Sequence, residues 1–167
     1  MAALALALVL VLGACQPVYQ DAGPNPARVR VTFHARLTEA ELEDAILIQS
    51  GPVFIKPGRF DEFSPPWWRM RLFLVDDEGS YTPLAPEGPT PPTVEGLQFD
   101  QSTVFLAPPG ERRLRLLVEC IIYRYYNNGS LTPVREPINA LVQKRDYLLK
   151  LAPGQEVSLG PLYYPLP

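Results

Sequence analysis

Proline restricts the possible folds of this chain more than any other residue type, because 20 of its 167 residues are prolines. The average usage of proline is about 5%. The prolines lie between short apolar stretches along the chain rather than in one block. Since proline lacks a backbone N–H and disrupts helix interiors, this spacing leaves little room for long helices. We therefore expect short elements that are separated by turns.

The apolar residues between these prolines alternate with polar ones in several segments. Residues 28–37 alternate strictly, which is typical of a half-buried strand. Residues 67–75 predict a strand with Trp68, Met70, Leu72 and Leu74 on one face, and residues 113–126 predict the longest strand. Further strands are predicted at residues 45–48, 53–55, 97–106, 131–135, 147–151 and 156–162, with a return edge strand after Tyr81.

Other segments predict turns, a loop and one helical turn. Thr38 and Glu41 have the spacing of a capping box, which predicts a short helical turn from Glu39 to about Asp44. Residues 76–79 and 127–130 have the composition of tight turns. Residues 82–93 contain five prolines and predict an exposed loop with polyproline character.

Together these patterns predict an all-β fold, an antiparallel β-sandwich of about seven to nine strands with one short helical turn. The sequences LAPPGE at residues 106–111 and LAPGQ at residues 151–155 resemble the Pro-Gly corners of immunoglobulin-like and fibronectin III-like modules. This resemblance implies an immunoglobulin-like architecture. The Cys-Trp-Cys core of true immunoglobulin domains is missing from the sequence.

The first residues of the chain have the character of an export signal. Residues 2–14 are only Ala, Leu, Val and Gly. Thirteen residues of helix rise about 20 Å, less than the hydrocarbon core of about 30 Å, so this segment suits a secretory signal better than a membrane span. It ends in Leu12, Gly13, Ala14 and Cys15, after which the chain becomes polar.

These four residues resemble the lipobox of bacterial lipoproteins. The resemblance implies that Cys15 is linked to diacylglycerol, that residues 1–14 are removed, and that the new amino group is often acylated, for example with palmitate. We expect a signal peptide at residues 1–14, the lipidated cysteine and a tether at residues 15–27, and the sandwich at residues 28–167. The alternatives are an ordinary signal peptide with an incidental cysteine, or a buried apolar helix.

The predicted location is the cell envelope. A residue other than Asp after the lipidated cysteine resembles the default for outer-membrane sorting, and Gln16 fits this pattern. The outer membrane is therefore the expected site, with either the periplasmic or the surface side open. The partners implied are the membrane, through the lipid on Cys15, and an envelope protein.

Composition argues against several other classes of function. The formal net charge is −3 and no basic patch dominates, so no nucleic-acid partner is expected.

His34 is the only histidine, and the strand pattern places it on the solvent-facing side of the strand. A catalytic triad or a histidine zinc site would depend on this one residue. Cys120 lies within an apolar run, which favours a buried, inert thiol. We expect no enzyme activity, no cofactor and no metal site.

Carboxylates and aromatic residues leave alternatives open. Residues 76–78 could ligate calcium, but their sequence is first a turn signal. Trp67, Tyr123 and Tyr125 are predicted to point away from the core, as sugar-stacking rings or interface anchors would. Three functions remain: a non-enzymatic structural, assembly or binding component, a carbohydrate- or peptidoglycan-binding module, and, least favoured, an envelope hydrolase.

Overall fold

The computed structural model describes residues 17–50, 62–88, 94–126 and 134–165, and in these ranges the protein is an all-β sandwich with one helix, α1 (Glu39–Ser50). No helix in the described ranges is long and apolar enough to cross a membrane. The strands are β1 (Ala27–Arg36), β2 (Glu62–Phe63), β3 (Trp67–Val75), β4 (Tyr81–Pro83), β5 (Val94–Glu95), β6 (Gln98–Ala107), β7 (Gly110–Tyr126), β8 (Val134–Leu151) and β9 (Glu156–Tyr163).

The strands form two sheets. In the first sheet β1 lies between β6, which is antiparallel to it, and β9, which is parallel. In the second sheet β7 pairs with β8 along one edge and with β3 and then β2 along the other. The far edge of β3 pairs with β4 at one end and with β5 at the other. The pairing of β1 with β9 is the single parallel one among these named strands.

The predicted alternation places the core between the two sheets. Val29, Val31 and Phe33 of β1 are buried against the apolar faces of β3 and β7. The Trp68 ring stacks on Phe99 of β6, with 5.6 Å between ring centroids, and so joins the sheets. The buried members of the core faces of β3 and β7 are Trp68, Met70, Leu72, Leu114, Leu116, Val118, Cys120 and Ile122.

The helix is longer than the sequence predicted. The capping box is confirmed, because the backbone N–H of Thr38 donates to the Glu41 carboxylate at 2.8 Å and that of Glu41 donates to the Thr38 hydroxyl at 3.2 Å. The prediction of a strand at residues 45–48 is wrong, since α1 continues to Ser50. Once a helix is nucleated, each added residue gains a backbone hydrogen bond at little further cost.

The last two residues of the strand predicted at 131–135 and the whole strand predicted at 147–151 belong to one continuous strand, β8, whereas residues 131–133 lie outside the described residues. Pro137 lies inside it, and proline is tolerated there because β8 pairs with β7 alone among the named strands. The predicted strand at residues 53–55 and the predicted turn at residues 127–130 lie outside the described residues.

The proline-rich segment after β4 also differs from its prediction. Leu84 is buried, with 1% of its surface exposed, so the expectation of a fully exposed loop is wrong at this residue. The Leu84 N–H donates to the Leu72 carbonyl of β3. On the other side, the Ala85 carbonyl accepts the Leu106 N–H of β6, and the Glu87 N–H donates to the Val104 carbonyl of β6. This short segment therefore links the two sheets at their edge. Residues 89–93 lie outside the described residues.

Candidate functional site

The side chains of the second sheet that point away from the core form the surface that we call the outer face. It includes Trp67, Tyr123 and Tyr125, the three aromatic residues that the sequence placed there. All three are half-buried. Trp67 pairs with Ile121, which is buried on the same face. Cys15, the fourth predicted site residue, lies outside the described residues.

Glu119 lies at the middle of the outer face and is 6% exposed. Arg69 and Arg71 of β3 both donate to its Oε2 atom, at 3.0 and 2.7 Å. A buried carboxylate needs such donors, because an ion removed from water is costly unless it is paired. Two half-exposed guanidinium groups on one carboxylate leave this cluster with an excess positive charge.

A second ion pair joins β7 and β8. Two nitrogen atoms of the Arg115 guanidinium donate to the two Asp146 oxygens at 2.5 Å each, the two-pronged geometry that arginine favours. The hydrogen bonds from Arg115 hold the pKa of Asp146 below its ordinary value. Arg115 also donates to the Tyr81 hydroxyl and lies over the Tyr81 ring. Tyr81 meets Phe73 edge-on, at 6.4 Å between centroids.

One of the three predicted aromatic residues, Tyr123, has a covered ring face. The Arg135 guanidinium carbon lies 3.6 Å from the centroid of the Tyr123 ring and covers one of its faces. The backbone N–H of Tyr123 is not free to donate to a ligand, since it already donates to the Ser64 hydroxyl at 3.0 Å. The outer face therefore combines aromatic rings with guanidinium groups, which suits anionic partners as well as stacking ones.

The segment that leads into β1 contacts the edge of the second sheet. The Gln20 N–H donates to the Pro83 carbonyl at 2.8 Å, and Gln20 forms a parallel bridge with Leu84. Pro17 and Tyr19 line a groove of about 400 Å³ at the open edge of β3, whose other described walls are Trp68, Arg69, Met70, Arg71, Leu72, Phe73, Pro83, Leu84, Pro86, Gln101 and Phe105. No carboxylate is among these described walls.

The outer surface of the first sheet holds the single histidine. His34 Nδ1 lies 2.7 Å from Asp100, and its ring stacks on Tyr163 at 5.2 Å between centroids. Neighbouring arginines are paired too, since Arg28 contacts Glu87 and Arg30 contacts Glu156. These contacts give His34 a role in cross-strand pairing.

The remaining candidates have structural contacts. Cys120 is fully buried, and burial raises the pKa of its thiol to about 12, so the thiolate is strongly disfavoured. The Asp76 carboxylate accepts the Ser80 N–H at 2.7 Å, as expected in a tight turn. The described part of the chain contains no group of three or more His, Cys, Asp or Glu residues arranged to hold a metal ion.

Fold and site together define a two-sheet β-sandwich whose second sheet carries an arginine-rich, aromatic outer face. No family model, curated protein or solved structure matches this chain.

Sequence reasoning identified the aromatic residues of the outer face but gave its arginines no role. The alternation of residues 67–75 places Arg69 and Arg71 on the same face as Trp67, and the alternation of residues 113–126 places Glu119 on the same face as Tyr123. This alternation was the sequence signal from which the ion pairs could have been predicted. The contact of Gln20 with Pro83 had no local signal, because it depends on how β4 is oriented in the fold.

Proposed function

We propose that the chain is a lipid-anchored protein of the cell envelope, whose β-sandwich has a structural, assembly or binding role rather than a catalytic one. The observation that carries the proposal is the apolar segment that ends in Leu12, Gly13, Ala14 and Cys15. A diacylglycerol on Cys15 and an acyl group on its amino terminus supply the several chains that stable anchoring requires. Gln16 supports the outer membrane as the location.

The start of the described chain is compatible with such an anchor. Gln20 is bonded to the sheet, and it follows Cys15 by five residues. Five residues extend over at most about 18 Å, so an anchored sandwich would stay close to its membrane. A protein held in this way is well placed to bind a partner in the same membrane.

The type of partner is proposed from the outer face. Half-buried aromatic residues and arginines are the residue types that dominate protein interfaces. Exposed Val142 and Leu148 lie on the same face, on β8. We therefore favour an envelope protein as the partner. A carbohydrate or peptidoglycan ligand is less well supported, because Arg135 covers a face of Tyr123.

The test of this function compares Cys15→Ser with the wild-type chain in cells that are separated into soluble and membrane fractions. We expect the wild-type protein in the membrane fraction after a carbonate wash and the variant in the soluble fraction. Cys120→Ala is the matched control, since it removes the other cysteine and should leave the protein in the membrane. Retention of Cys15→Ser in the washed membrane would reject the proposed anchor.

The binding role is tested separately. Chemical crosslinking in membranes, followed by capture of the protein, should recover an envelope protein linked to the outer face. Trp67→Ala should reduce that crosslink, whereas the exposed first-sheet variant Arg36→Ala should not. Recovery of the chain alone would count against an assembly role.

A further inference from the structure

The lipid proposed for Cys15 would be attached beside one particular edge of the sandwich. Pro17, two residues further on, lines the groove at the open edge of β3. Consecutive Cα atoms are 3.8 Å apart, so the Cα atom of Cys15 lies within about 8 Å of that of Pro17. The bonds of Gln20 to Pro83 and Leu84 fix the other end of this short segment.

The residues next to this attachment point form the surface that we call the anchor surface. It consists of Tyr19, Arg69, Arg71, Phe73 and Tyr81. Tyr81 is 50% exposed, and Val18, on the segment that carries Tyr19, is 84% exposed. Tyrosine is enriched at membrane–water interfaces, and arginines near the surface are attracted to anionic lipids. Both residue types are present here, and both arginines are partly open to solvent.

The charge of the outer face is opposite to that of the whole chain, whose net charge is −3. The acidic turn at residues 76–78 joins β3 to Tyr81 at one end of the outer face and lies outside its strands, whose charges are compared here. Among the described side chains, the cations of this face outnumber its carboxylates: Arg69, Arg71, Arg113, Arg115, Arg135, Lys144 and Lys150 against Glu95, Glu111, Glu119 and Asp146.

The opposite side of the sandwich lacks this excess. On the outer surface of the first sheet, Arg28 and Arg30 form ion pairs with Glu87 and Glu156. His34 contacts Asp100 in the same way. The charges of this surface are largely balanced within it, and the path from Cys15 leads to the other sheet.

We infer that the anchor surface lies against a membrane that contains anionic phospholipids. The β3–β4 edge of the second sheet then faces the headgroups, the end of the outer face that carries Trp67, Tyr123 and Tyr125 stays open to a protein partner, and the first sheet faces away. This orientation rests on the proposed lipid anchor at Cys15. The lipid supplies the attachment, and the arginines and tyrosines set the orientation. A free domain on a long linker would have no preferred side.

The test uses the full lipidated protein with one added cysteine that carries an environment-sensitive fluorophore. Tyr81→Cys places the label on the anchor surface. Tyr163→Cys is the matched control, because Tyr163 is a similarly exposed tyrosine on the first sheet, at 60%. Cys120 is buried and protonated, so it should not react while the protein is folded. Val18→Cys gives a second label, on the segment that leads from Cys15 to the sheet, and disturbs no described contact.

The labelled proteins are placed in vesicles of phosphatidylcholine alone or with phosphatidylglycerol, and quenching by acrylamide is measured. With phosphatidylglycerol, we expect labels at residues 81 and 18 to be quenched about threefold less than the label at residue 163. Lys144→Glu, in the same row as Arg71, should reduce this protection, and Arg36→Glu on the first sheet should not.

The outcomes separate the orientation from the anchor. Equal quenching at residues 81, 18 and 163, with the protein still floating with the vesicles, would overturn the orientation and leave the anchor intact. Protection that is the same without phosphatidylglycerol would overturn the role of anionic lipid. A protein that does not float with either vesicle type would contradict the anchor itself, and the orientation with it.

Discussion

Arg71 on β3 donates to Glu119 on β7 with 2.7 Å between Nη2 and Oε2, and Arg69 donates to the same oxygen. Glu119 is almost fully buried, whereas both arginines are partly open to water. One carboxylate therefore pairs with two guanidinium groups and leaves the cluster with one excess positive charge. This pairing ties the two central strands of the second sheet together and supports its cationic outer face.

Glu119→Gln should lower the free energy of unfolding by about 2 kcal/mol, because it leaves two arginines beside a buried neutral group. Urea denaturation followed by circular dichroism measures the change. Asp146→Asn is the matched control, since Asp146 also pairs with an arginine but is half exposed, and it should cost less than about 1 kcal/mol. Equal costs for the two variants would contradict the central role of Glu119.

Leu84→Ala should destabilise the protein by about 3 kcal/mol, the usual cost of removing a buried leucine side chain. Leu84 belongs to the proline-rich segment that links the two sheets. Leu148→Ala, at a leucine that is 66% exposed, should have almost no effect. Thermal unfolding of both variants tests whether this segment is part of the core, and similar melting temperatures would show that it is not.

Gly160→Ala should be more harmful than Gly79→Ala. Both glycines have positive φ angles, so alanine is strained at either position. At Gly160, however, an added Cβ atom would lie 2.6 Å from the Thr32 carbonyl oxygen, whereas at Gly79 it would meet nothing within 4 Å. The difference between the two unfolding free energies isolates the clash. No difference would mean that β9 can move away from β1 without cost.

Stability should fall as pH rises above about 9, because burial raises the pKa of Cys120 from 9.0 to about 12. Between these values the folded protein keeps a proton that the unfolded chain has lost, so unfolding is favoured. Burial raises the pKa of Tyr147 in the same direction. Cys120→Ala should show a smaller loss of stability between pH 8 and about 11 in urea denaturation. An unchanged pH dependence would contradict the assignment to this thiol.

The sequence predicted those parts of the fold that depend on local alternation. Strand β3 has the predicted bounds, and β1, β6, β7 and β9 begin and end within a few residues of their predictions. Here the pattern of side chains on one face of the core decides the structure, and that pattern is visible in the sequence.

The missed features depend on contacts between distant segments or on cooperativity. A short apolar run such as residues 45–48 fits a helix and a strand equally well. It is helical here because the capping box at Thr38 and Glu41 starts a helix that continues through it. Leu84 lies among prolines, so its burial follows from the backbone bonds to β3 and β6 rather than from its neighbours. For the site, alternation identified Trp67, Tyr123 and Tyr125 as outward-facing, but the position of Arg135 over Tyr123 required the pairing of β7 with β8.

The most direct measurement of the central claim is the intact mass of the protein extracted from its own membranes. The account predicts a chain that begins at Cys15, lacks residues 1–14, and carries the added mass of diacylglycerol on that residue, with or without a further acyl group. Treatment that hydrolyses the ester bonds should remove the corresponding fatty-acid mass. A full-length chain, or a chain with an unmodified Cys15, would contradict the account.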